Sequence, residues 1–167
     1  MLGKKNHFRR TSKNDNEVSH LKEQKDYSNE NLNNQENQLL AADKNFNIED
    51  FLEGSKKAFR IIVASYKENN IESAKALLAP KVLKSFQEAS DFNKNRIDSF
   101  QITKLKASIV NIEVVKKLAK IKVKFLSTQN NKFEKKLETV SVKDIWTFEK
   151  IIESGNPNWL LTEVTAE

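Results

Sequence analysis

Asp144-Ile145-Trp146-Thr147-Phe148-Glu149-Lys150 and, after a short gap, Asn156-Pro157-Asn158-Trp159-Leu160-Leu161 form the stretch on which the reading of this chain turns. Both tryptophans lie in it. The first run alternates β-branched and aromatic residues with polar ones, as a strand with one buried face does. Glu153-Ser154-Gly155-Asn156-Pro157-Asn158 is rich in turn residues, and a second apolar run follows. The spacing predicts a β-hairpin that closes a domain.

Working upstream, the two-residue period continues. Ala119, Ile121, Val123 and Phe125 alternate with Lys120, Lys122 and Lys124, which is a strand with one face buried and one in water. Lys116-Lys117 makes the turn before it. Phe100 to Val115 is long for one strand and its apolar parity changes. Leu105, Ala107 and Ile109 share one parity, and Val110, Ile112 and Val114 the other. A β-bulge between Ile109 and Val110 accounts for the switch and bends the strand. Gln129 to Glu138 is mostly polar and reads as a loop or an exposed hairpin. Val140 and Val142 lead into the Trp146 strand, with Asp144 sharing the parity of Val142, Trp146 and Phe148.

Before the strands the period is helical. Phe51, Ser55, Phe59, Ile62 and Tyr66 recur at three- and four-residue spacings, with Asn47 as N-cap and Asn69-Asn70 as the end. A second helical piece covers Ile71 to Leu78. Pro80 suits the first residue of a third, which ends near Phe92. Residues 1–46 are rich in Asn, Gln, Ser, Lys and Glu and are expected to stay unstructured, because they offer too little apolar surface to offset chain entropy. The expected organisation is therefore a polar tail over 1–46 and a domain over 47–167. The fold class is α+β: N-terminal helices on one face of a curved four-stranded antiparallel sheet, a cone with an apolar pocket.

Composition narrows the chemistry. The 167 residues include no cysteine, and both histidines, His7 and His20, fall in the tail. The predicted domain thus lacks the usual nucleophile–base pairs and thiolate or imidazole metal ligands. No metal or cofactor is expected. The net charge is +6, yet all but four of the 29 basic residues are lysine. Nucleic-acid readers favour the planar fork of arginine, so this excess argues against that partner. No stretch reaches the roughly 20 apolar residues of a membrane-spanning helix.

The hairpin carries a resemblance. Asp144, Trp146, Thr147 and Phe148 match an Asp-x-Trp-Thr-Phe strand, and Pro157, Asn158, Trp159 and Leu161 match a Pro-Asn-Trp-x-Leu strand. The chain from about Phe46 to Val164 resembles the C-terminal domain family of mitochondrial import inner membrane translocase subunit 44 and its alphaproteobacterial relatives. The family often has Arg two residues after the Phe; here Lys150 keeps the charge without the bidentate fork. The resemblance implies a cystatin-like or nuclear-transport-factor-two-like cone. It implies a non-enzymatic role at the inner membrane, with anionic lipid such as cardiolipin and protein partners, in translocation or membrane-complex assembly. The mitochondrial member recruits a heat-shock chaperone through a long N-terminal half, and nothing here corresponds to that half. Bacterial relatives usually carry an N-terminal membrane helix. Gly3-Lys4-Lys5 and Arg9-Arg10 are the kind of residues that follow one on its cytoplasmic side, so an anchor upstream of Met1 is expected in the natural protein.

Three candidate sites follow. Phe125, Trp146, Phe148 and Trp159, with Asp144 in the same wall, are the expected lining of a pocket for an apolar ligand or lipid tail; ordinary core packing is the competing reading. Asp144 in an apolar wall would have a raised pKa and the properties of a general base, which keeps a small-molecule-binding or enzymatic cone open as the alternative. Lys4, Lys5, Arg9 and Arg10 in the tail, and Lys120, Lys122 and Lys124 on the strand, are the expected contacts to an anionic membrane surface. Ribosome or RNA binding is the minor alternative. The lysine strand lacks interleaved exposed aromatics, so it makes a poor stacking platform for single strands.

Overall fold

The computed structural model describes residues 30–92 and 97–166. Four helical segments come first: α1 (30–42), α2 (Ile48–Lys67), a 3-10 segment (Ile71–Leu77) and α3 (Pro80–Phe92). Four strands follow as an antiparallel meander in the order β1-β2-β3-β4: β1 (Ser99–Val115), β2 (Leu118–Phe133), β3 (Lys136–Ile151) and β4 (Leu160–Ala166). The arrangement is α+β, with the helices on one face of the sheet.

Local chemistry sets the helix boundaries. The Asn47 side chain accepts a hydrogen bond from the Asp50 backbone N–H, and Glu49 and Asp50 face the positive end of α2. Asn69, at φ 56°, takes the left-handed conformation that stops α2. Phe51, Ser55, Ala58, Phe59 and Ile62 form its buried stripe.

The sheet shows why β1 can be long. Its pairing with β2 shifts between Ile102 and Lys104 and again between Ile109 and Asn111. Each shift adds one residue to the helix-free outer face. The inward set therefore changes parity twice, from Ile102 to Leu105, Ala107 and Ile109 and then to Ile112 and Val114. Val110 is the extra residue at the second bulge. It is exposed, and so departs from the inward side expected for it beside Ile112 and Val114. Gln129 to Glu138 forms a hairpin rather than a loop. It turns at Glu134 and Lys135, both with positive φ. Within it Gln129 and Asn131 are buried and, with Ser127 just before them, continue the inward row of Ile121, Val123 and Phe125. The Gln129 side-chain amide donates to the Ser127 hydroxyl at 2.9 Å.

The core is aromatic where α2 meets the sheet. Phe59 is fully buried, stacks on Phe125 with ring centroids 4.5 Å apart and lies 4.7 Å from Trp146. Offset ring pairs of this kind contribute about 0.5–1.5 kcal/mol each beyond area burial.

The expected tail boundary at residue 46 is corrected by α1. Leu39 is fully buried in the core. Gln35 bridges to the edge strand: its side-chain oxygen accepts from the Ile112 backbone N–H at 2.9 Å and its amide donates to the Asn111 side chain at 2.9 Å. An edge strand carries unpaired backbone donors, and Gln35 satisfies one of them. At its other end α1 is tied to β3 by an Asp43–Lys150 ion pair at 3.6 Å.

Candidate functional site

The hairpin that dominates the sequence closes a cavity of about 570 Å³. Five segments converge on it: the α1–α2 connection, the first half of α2, Leu77 of the 3-10 segment, the end of β3 and the β3–β4 loop. Phe46, Phe51, Phe148 and Trp159 form its aromatic wall. Trp159 packs edge-on against Phe51 at 5.0 Å and Phe46 at 6.2 Å. Lys150 sits at the rim, 5.9 Å above the Trp159 ring and paired with Asp43. Here the lysine in the arginine position needs no planar fork; one carboxylate and one ring face suffice. Gly54 of α2 also lines the cavity, and a Cβ built there would have nothing within 4 Å.

The expected pocket residues divide. Phe148 and Trp159 do line this cavity. Phe125 and Trp146 do not: both are locked against Phe59 away from the cavity, whereas Phe148, as buried as Trp146 at 2%, meets the cavity from the core side. Their spacing in the sequence is the same as that of Phe148. What separates them is α2, whose Phe59 covers that part of the sheet. Asp144 is half-buried on the inner face, opposite Phe125 on one side and Ala166 on the other. Burial raises its carboxyl above the ordinary 3.8. It is not among the residues lining the hairpin cavity, so the carboxyl and the aromatic wall are not one site. Phe46, Phe51 and Gly54 belong to the cavity and were missed as site residues. Phe51 and Gly54 sit on the predicted helix one turn apart on the side toward the hairpin, whereas nothing local marks Phe46, which lay in the supposed tail.

The lysines on the outer face regroup under the strand register. Lys120 lies between Glu113 and Glu149 in adjacent strands and pairs with Glu149 at 3.2 Å. Its charge is thus already engaged by an acidic neighbour. Lys122 and Lys124 follow it along β2 on the same face. Across the bulges, Lys106 comes opposite Leu126 and Lys104 opposite Thr128. Lys104, Lys106, Lys122 and Lys124 thus occupy four successive rows of β1 and β2, and none of the ion pairs among the described residues involves them. Exposed Leu126 (43%) and Val110 (45%) lie among them. Lys4, Lys5, Arg9 and Arg10 lie outside the described residues.

Among the described residues no group of His, Cys, Asp or Glu side chains is placed to hold a metal, and no helix is long and apolar enough to cross a membrane. A search of curated proteins returns no match. Among solved structures, the chain is similar to a de novo designed β-sheet protein determined by solution NMR, at 13% identity and a TM-score of 0.37, over 72% of this chain and 89% of that one. The family comparison reaches further. The profile of the Tim44-like domain matches residues 33–166, which takes in α1, the aromatic hairpin and all four strands. On that match, over most of its length, the chain belongs to the Tim44-like domain family.

Proposed function

We propose that this chain is a non-catalytic binding module at the cytoplasmic face of a bacterial inner membrane, contacting anionic lipid and protein partners during translocation or membrane-complex assembly. Membership of the Tim44-like family brings a membrane-associated, translocation-related role, and that family is in general one of binding rather than catalysis. The observation that carries the lipid contact is the outer face of β1 and β2. Four lysines lie in adjacent rows around Leu126 and Val110 with no acidic residue on either strand in those rows. Each lysine held near an anionic leaflet contributes on the order of 1 kcal/mol, so the four supply about 4 kcal/mol before the aliphatic side chains are counted. The enzymatic alternative rests on Asp144, whose carboxyl stands apart from the aromatic cavity.

Liposome flotation tests the reading. The full chain should float with cardiolipin-containing vesicles and not with phosphatidylcholine alone, and the binding should fall as salt shortens the Debye length to about 3 Å near 1 M. Lys122→Glu with Lys124→Glu should abolish it. Lys120→Glu should have little effect, because that lysine is already paired. If charge reversal at Lys122 and Lys124 leaves flotation intact while neutralising Lys4, Lys5, Arg9 and Arg10 removes it, the domain face is not the contact.

A further inference from the structure

We infer that the outer edge of β4, under α3, is a docking edge for a single extended apolar segment of a partner polypeptide. The inference rests on the chain being a binding module for protein partners and not on its contact with lipid.

Strand β4 is the edge of the sheet. Its outer side is partly taken already. The Ala79 backbone N–H donates to the Leu161 carbonyl at 2.9 Å, and Leu78 bridges Leu161 in parallel. A piece of extended chain therefore already adds to this edge by main-chain hydrogen bonding. At Pro80 the chain turns into α3 and leaves the edge. Beyond that point, among the described residues, no backbone pairs with the outer side of Thr162 to Ala166. Beside that open ladder, between α3 and β4, lies a cavity of about 640 Å³. Val82, Phe86 and Ala89 of α3, Tyr66 of α2 and Val164 of β4 give it its apolar lining, and Lys81, Ser85, Thr162 and Glu163 line the rest. Val164 is in register with Trp146 and so is on the core side of the sheet, yet it is 39% exposed because none of the described residues fills this gap.

An open ladder beside an apolar hole is the pairing that strand addition uses. Main-chain hydrogen bonds hold the incoming segment, and one alternate side chain enters the hole. The occupant is an aliphatic or aromatic residue on an extended backbone. A helix cannot present its own satisfied backbone to the ladder. A second copy of this chain would bring its own α3 to the same side of the shared edge, where the gap beneath α3 admits a single chain.

The probe is the acetylated, amidated heptapeptide Thr-Leu-Thr-Val-Thr-Leu-Lys, titrated into the full ¹⁵N-labelled chain. Saturable shifts are expected at Glu163, Val164 and Thr165 and along α3, with a Kd tighter than about 1 mM. Amide exchange of Thr162 to Ala166 should slow at the same time. Ala89→Trp, which fills the hole, should weaken binding at least tenfold while keeping the thermal transition of the parent. The same peptide N-methylated at alternate residues, with side chains intact, should not bind. Absence of saturable shifts at 1 mM overturns the inference, as does equal binding of the N-methylated peptide. Sedimentation that shows a dimer whose interface protects β4 overturns the choice of occupant. Peptide binding that persists in a chain that fails to float with cardiolipin vesicles sinks the lipid reading and leaves this one standing.

Discussion

Two glycines see the same empty space and should respond to alanine in opposite directions. A Cβ at Gly54 or at Gly155 would have nothing within 4 Å, so neither substitution meets a clash and the backbone alone decides. Gly54 lies inside α2, where replacing glycine by alanine removes an entropic penalty of about 0.5–1 kcal/mol. The new methyl points into the hairpin cavity and buries nothing, so no packing gain adds to that figure. Gly54→Ala should therefore stabilise the domain by about 0.5–1 kcal/mol, or raise Tm by about 2–4 °C for a domain of this size. Gly155 sits in the β3–β4 loop at φ 77°, where an L-residue with a Cβ is strained by about 1–2 kcal/mol. Alanine also trims the unfolded ensemble, which offsets about 0.4–1 kcal/mol of that strain. Gly155→Ala should thus destabilise by about 0.5–1 kcal/mol once both effects are taken together. Urea unfolding followed by tryptophan fluorescence and by far-UV circular dichroism measures both. A Gly54→Ala chain less stable than the parent would mean that the cavity wall is closed at this point, and the aromatic site as described would fall with it.

The two tryptophans should also part company. Trp146→Ala should cost about 3–5 kcal/mol as a core deletion, and Trp159→Ala about half as much because its ring is only part-buried at the cavity wall; equal losses in urea midpoints would contradict the division. Trp146→Phe should cost less than about 1.5 kcal/mol, since it also removes a buried indole N–H that has no acceptor among the described residues. Asp144 carries a pH signature. Its folded pKa is above 3.8, so the folded state holds its proton more tightly than the unfolded state does. That contribution favours folding at low pH and is lost as pH rises through the folded pKa. Asp144→Asn should therefore be more stable than the parent at pH 7, with the difference shrinking toward pH 4; a variant less stable at neutral pH would show that the carboxylate has a partner that compensates its burial.

The parts of this fold legible in the sequence are those in which one residue's environment follows from its neighbours along the chain. The stripe of α2, the proline start of α3 and the bulge near Val110 all follow from period and parity, because an apolar set that changes parity cannot stay on one face without an extra residue. Helix α1 was not legible. It has no apolar stripe to speak of, and tertiary contacts anchor it: Leu39 in the core, Gln35 on the β1 edge and, just past its end, Asp43 on Lys150. An asparagine- and glutamine-rich segment looks unstructured until a strand edge needs an amide partner. The burial of Gln129 and Asn131 was not legible either: their polarity suggested a loop or an exposed hairpin, and in the hairpin that forms they continue the inward row of Ile121, Val123 and Phe125. The lysines are the most instructive case. Lys120, Lys122 and Lys124 form one stripe on paper, but cross-strand neighbours rather than chain neighbours set their charge environment. Glu113 and Glu149 remove the first, and the β1 bulges deliver Lys104 and Lys106 to the other two. A surface for an anionic partner on a sheet is therefore a property of register. Removing the bulge at Val110 would turn Lys104 and Lys106 to the opposite face from Lys122 and Lys124 without changing the composition at all.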